Sequence, residues 1–124
     1  MILIEQFFAG PLAAGDEPWV IAAIAGIIED VKHADGVARR EAHEEAGLNF
    51  DALTLISDYY SSPRGSRERN DVYCARTDLQ GTGRMNGRAG KDEDIRALVL
   101  SRDAVLEALA SGRVRPSPAI IELH

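Results

Sequence analysis

The sequence predicts a single α/β domain, a sheet covered by helices on its faces. Three observations predict it. The chain has 124 residues, enough for one domain with a core of its own. Hydrophobic residues make up 45% and charged residues 27%, a balance that fits a soluble globular protein rather than a disordered one. Short apolar runs bounded by Gly and Pro alternate with stretches of helical spacing, in the order β, β, α, β, β, β, α, α. That mixture in so short a chain is satisfied by packing helices on a sheet.

Each element has a local reason. Met1 to Phe8 read as a strand, closed by the turn signals Gly10-Pro11 and Gly15-Asp16-Glu17-Pro18. Trp19 to Ala25 form a second apolar run, read as a strand because it is short and bounded by Pro18 and Gly26. Trp19 suits the core or an interface. Asp35 is an N-cap for a helix over 36–46. In that helix Val37, Ala38 and Ala42 can face inward, while Arg39 and His43 can face water. Gly47 closes it, since Gly tolerates the left-handed conformation at a helix end. Leu53 to Tyr60 alternate as a strand. Ser61 to Arg69 form a loop with three arginines, either a solvated turn or a clamp for phosphate or carboxylate. Asp71 to Arg76 make the next strand, with Cys74 as a small buried packing residue. Residues 80–94 are a long polar loop ending in Lys91-Asp92-Glu93-Asp94, and long loops tend to be functional or mobile. Ile95 to Leu100 are a further strand. Ser101 caps a helix with Val105, Leu106 and Leu109 inward and Gly112 as its stop. Ser117-Pro118 opens a last helix, and the chain ends inside it.

Composition excludes several function classes. The net charge of −6 argues against a broad nucleic-acid or anionic-membrane surface. The lone Cys74 excludes an internal disulfide framework and suits a reducing compartment, so a cytoplasmic setting is expected. No apolar run is long enough for a membrane-spanning helix. The N-terminus lacks a basic region followed by a signal-like apolar run.

The stretch that carries chemistry is Arg40-Glu41-Ala42-His43-Glu44-Glu45-Ala46-Gly47-Leu48. Spacings of three and four place Glu41, Glu44 and Glu45 on one side of a helix. Clustered carboxylates repel one another, by a few tenths of a kcal/mol per pair. A hard cation reverses that sign: Mg²⁺ takes oxygen ligands, usually one or two carboxylates with water and substrate phosphate. Arg40 lies one turn before Glu44, where a plain helix ion pair also accounts for it.

With Gly26 ahead of it, this stretch resembles the Nudix box: Gly, five residues, Glu, seven residues, then Arg-Glu-aliphatic-any-Glu-Glu-any-Gly-aliphatic. Ile2 to Phe7, Pro18-Trp19, Ala25 to Glu29, Ser62-Pro63 with Glu68-Arg69, Glu93 to Arg96, and Ile120-Ile121 with Leu123 extend the resemblance to the ADP-ribose pyrophosphatase branch of that family. The resemblance implies a Nudix fold, a mixed β-sheet sandwiched between α-helices, over one domain spanning residues 1–124 without the branch's N-terminal extension. It implies a Mg²⁺ cofactor, with Mn²⁺ as a substitute, and a nucleoside diphosphate-linked substrate such as ADP-ribose. Glu41 and Glu45 are then metal ligands, Glu44 a further or auxiliary one, and the Ala25 carbonyl another. Arg40 orients the glutamates. Glu44, Glu45 and Glu93 carry the catalytic roles, and Arg64, Glu68 and Arg69 contact substrate. A homodimer is among the expected assemblies, with neither nucleic acid nor membrane as a partner.

The sequence also departs from that pattern. Lys32 stands at the first glutamate of the box, and Val31 at the preceding glycine. Phe8 and Ala22 replace an arginine and a glutamate frequent in the branch. Lys91 replaces a loop acid, which leaves Glu93 or Asp92 as the general base. Three readings follow: an active pyrophosphohydrolase, a catalytically impaired Nudix-fold protein that binds a nucleotide or a protein, and a dimerisation module with Phe7, Phe8 and Trp19 at its interface.

Overall fold

A computed structural model of the chain describes residues 1–29, 33–78 and 95–123. Val31, Lys32, Lys91, Asp92, Glu93 and Asp94 lie outside the described residues.

The central element is a three-stranded antiparallel sheet in the order β2-β1-β5, formed by Trp19–Ala22, Ile2–Phe7 and Ile95–Val99. Its register pairs Glu5 with Ile21 on one side and with Arg96 on the other. Both faces of this sheet are covered, which explains why its strands read as nearly continuous apolar runs rather than clean alternations. On one face Leu3 and Ile21 pack with Val105, Ala108, Val114 and Ala119, under the helices α3 (Arg102–Ala110) and α4 (Ser117–Leu123). On the other face Ile2 and Ala97 pack with Ala42, Ala46 and Leu48, under the helix α2 (Ala34–Ala46). The expected layering of helix, sheet and helix is therefore present.

The strands β3 (Leu53–Tyr60) and β4 (Arg69–Ala75) form a separate antiparallel hairpin, with a register shift between Leu55 and Ser57. The α2 and α4 helices contact β4. Among the described residues, a parallel pairing occurs at the bridge between Ile21 and Val114. It is set up by the end of α3. There Gly112 adopts φ +73, Arg113 N–H donates to Ala108 O at 3.0 Å and Gly112 N–H to Leu109 O at 3.1 Å. These two bonds are the pattern of a Schellman closure, and they turn the chain back beside β2.

Several local expectations need correction. A short helix, α1 (Ala9–Ala13), occupies the region read as a turn, because Pro11 is tolerated in the first turn of a helix. The helix α2 starts earlier than expected, with His33 at the N-cap and Asp35 inside the first turn, where a carboxylate faces the positive end of the helix dipole. Cys74 is exposed rather than buried, because β4 belongs to the outlying hairpin. Leu106 is exposed and Ala108 takes the inward position. Trp19 is 40% exposed and meets Phe7 edge to face at 5.9 Å, so it is not a core residue of this chain. Ser101 does cap α3, its Oγ accepting from Ala104 N–H at 3.2 Å.

Candidate active site

The site begins with the helix α2, because its sequence places three carboxylates within one turn and a half. Ala42 and Ala46 are buried against the sheet, which fixes the rotation of the helix about its axis. Its end is fixed too. Gly47 takes φ +66, Gly47 N–H donates to His43 O and Leu48 N–H to Ala42 O, both at 3.0 Å.

With that rotation, the three glutamates sit in different surroundings. Glu45 is 9% exposed, the single charged side chain buried among the described residues. Glu41 is half-buried and lies against the segment that follows β2. A Cβ added at Gly26 would stand 2.7 Å from Glu41 Cδ and Oε1, and nearer still to Cγ. Gly26 is thus required by close approach. Glu44 is half-buried.

Arg40 Nη2 donates to Glu41 Oε1 at 2.8 Å. The helix ion pair expected with Glu44 is replaced by this shorter-range one. The bond to Glu41, then the charges of Glu41, Glu44 and Glu29, hold the Arg40 guanidinium above its ordinary range. Glu29 is the smallest of these contributions.

Whether these residues suit a divalent metal can be asked of the donor set. The donors are hard oxygens, which match Mg²⁺ or Mn²⁺ and not a softer ion. Among the described residues, no group of three or more His, Cys, Asp and Glu side chains converges as a metal cage. Mg²⁺ does not demand one, since it is held through one or two carboxylates plus water and substrate oxygens. The fit is therefore to a shared site, completed by a phosphate ligand.

The remaining predicted residues lie elsewhere. Arg64 is exposed in the turn where Gly65 and Ser66 N–H donate to Ser62 O. Glu68 is exposed, its N–H donating to Ser66 Oγ at 3.0 Å. Arg69 is held between Asp58 at 3.0 Å and Asp71 at 3.1 Å. All three belong to the β3–β4 hairpin and its loop. Phe8 packs on buried Ala22 together with Ile4, Ile24 and Ile95, so the two departures from the branch form one apolar patch. Arg39, expected to face water, is half-buried and bonded to the chain beyond the helix. Nothing in a helical wheel could have shown that, because its acceptors are backbone carbonyls of the following loop.

The family model described as NUDIX domain matches residues 1–120. The chain is similar to the ADP-ribose pyrophosphatase of Escherichia coli K12, at 32% identity over 124 residues, covering 100% of this chain and 59% of that protein. It is similar to the ADP-ribose pyrophosphatase of Haemophilus influenzae at 30% identity, covering 100% of this chain and 58% of that protein. It is similar to the GDP-mannose pyrophosphatase of Cronobacter sakazakii at 29% identity, covering 100% and 64%. The chain thus spans about three-fifths of the length of the relatives it matches. No helix among the described residues is long and apolar enough to cross a membrane. The match over residues 1–120, on a chain whose helix α2 carries the glutamates of the box beside Gly26, means that the chain belongs to the NUDIX family.

Proposed function

We propose that this chain is a divalent-metal-dependent pyrophosphohydrolase for a nucleoside diphosphate joined to a sugar, with ADP-ribose as the first substrate to test. The observation that carries the reading is the buried Glu45 on the same helix as Glu41, which is pressed against Gly26. Like charges clustered on one helix repel one another, and a hard cation held by such carboxylates reverses that sign. The relatives named for ADP-ribose and GDP-mannose support the substrate class.

In this reading Glu41, Glu45 and the Ala25 carbonyl hold Mg²⁺ or Mn²⁺, with Glu44 as a further ligand or as an acid–base group. The bound metal supplies charge neutralisation at the pyrophosphate and a lowered pKa for an attacking water. Arg40 fixes the Glu41 carboxylate through its 2.8 Å bond. The sequence pattern assigns the proton-accepting role to Glu93 or Asp92. Arg64, Glu68 and Arg69 are proposed as substrate contacts, Arg64 as a guanidinium suited to phosphate. The products are a nucleoside monophosphate and a sugar phosphate. A cytoplasmic setting, a homodimer and the absence of a nucleic-acid partner belong to the same proposal.

The test is AMP release from ADP-ribose with Mg²⁺, beside EDTA and Glu45→Gln controls. AMP that disappears in both controls supports the reading. Folded protein that releases no monophosphate from ADP-ribose, GDP-mannose or a wider panel refutes it. Nucleotide-dependent thermal stabilisation in that case would identify a binding protein, the outcome that Lys32 and Lys91 favour.

A further inference from the structure

We infer that Arg39 is a positioning residue, a strap that holds the carboxylate-bearing end of α2 in place. This rests on the metal reading proposed above. The side chain makes three contacts beyond its own helix. Its Nη1 donates to Phe50 O, its Nη2 donates to Asp51 O at 3.2 Å, and its guanidinium lies over the Phe50 ring, 5.4 Å from the centroid. Two carbonyls and a ring face are engaged by one planar fork, a geometry that lysine cannot reproduce.

The segment it grips is anchored on its other side. Thr77 Oγ1 donates to Asn49 O at 3.0 Å, which ties the same stretch to the chain leaving β4. Phe50 also packs on the cluster of Ala42, Ala46 and Leu48. The last turn of α2, which contains Glu44 and Glu45, is therefore fixed by the Gly47 closure from within and by Arg39 from outside.

Removing the fork leaves the Gly47 closure, the Thr77 bond and the packing of Phe50 but no side chain of α2 bonded to the following loop at Phe50 and Asp51, and helix ends fray more readily when outer contacts are lost. Arg39 lies on the flank of α2 away from Glu41 and Glu45, two and six residues along the helix. Its effect on the site is therefore through the backbone and not through contact with a ligand. Groups that orient metal ligands directly are worth about 10–100-fold in metal affinity; Arg39 orients them one step removed, so the lower end of that range, about tenfold, is expected.

The experiment measures Mn²⁺ binding by the electron paramagnetic resonance of free Mn²⁺, without substrate, in the full chain. Wild type is compared with Arg39→Met, Arg39→Lys and Arg113→Met. The last removes a surface pair with Glu5, 3.3 Å long, on the other face of the sheet. Arg39→Met is expected to raise the Mn²⁺ dissociation constant about tenfold, and to speed amide exchange over residues 44–48. Arg39→Lys, which keeps stem and charge, gives about a threefold change in the same direction. Arg113→Met leaves binding unchanged. Wild-type Mn²⁺ affinity in both Arg39 variants overturns the assignment while leaving the metal site standing. Absence of Mn²⁺ binding in wild type overturns both. Should Arg39→Met not fold, the Arg39→Lys result decides alone.

Discussion

Replacing Gly26 by Ala isolates the contact on which the metal site depends. Gly26 is not in the left-handed region, so alanine meets no backbone strain there. The whole effect is steric. The new methyl would stand 2.7 Å from Glu41 Cδ and Oε1, closer than carbon atoms approach without displacement. Glu41 must swing away or the segment after β2 must move. Overpacking of this kind costs about 1–3 kcal/mol. For a domain of this size that lowers Tm by roughly 5–10 °C. The functional loss is larger, because a displacement of about 1 Å in a positioned group can cost roughly a hundredfold in rate. The assay is kcat/KM on ADP-ribose together with a melting curve. A second variant separates the two effects. In Gly26→Ala combined with Glu41→Ala the clash is gone, so stability returns towards wild type while activity stays low. Wild-type activity and Mn²⁺ affinity in Gly26→Ala would refute the placement of Glu41 in the site. A full loss of Tm in the double variant would refute the contact as its cause.

Three further outcomes follow from the same structure. Glu45→Gln keeps shape and removes a charge proposed to bind metal, so turnover falls about a hundredfold or more and the rise in melting temperature on adding Mg²⁺ shrinks towards zero. Wild-type turnover with an undiminished Mg²⁺-dependent shift in the variant would count against that account of Glu45. Ser101→Ala deletes the cap of α3 and costs about 1 kcal/mol; urea unfolding should show this with no change in kcat, since α3 lies on the opposite sheet face from α2. Tyr73 has its phenol raised above 10.0, first by burial and then by Asp71 and Asp35. A raised folded-state pKa means that the native state holds its proton more tightly, so this contribution is intact below pH 10 and is lost as pH rises through the folded value. Tyr73→Phe should therefore flatten the alkaline loss of stability, and identical alkaline limbs in the two proteins would exclude that role.

Local chemistry was legible in the sequence wherever neighbours along the chain decide it. The spacing of Glu41, Glu44 and Glu45 placed three acids on one helix, Gly47 closed that helix, and Ser101 capped α3, all within a few residues of one another. The layering of helices on a sheet followed from runs such as Ile2-Leu3-Ile4, which needed apolar cover on both faces. Tertiary structure decided everything that depends on distant partners. It made Gly26 indispensable, because Glu41 folds back over it from another element. It left Trp19 and Cys74 exposed, since exposure depends on which strands are covered and not on residue type. It buried Glu45 and left Arg40 at the surface, although both are charged residues of the same helix. It turned Arg39 from an expected surface charge into a strap, because two backbone carbonyls of a following loop came within its reach. Side-chain types and their spacing determine which chemistry the chain can offer; the packing of α2 on the sheet determines which of those groups face one another.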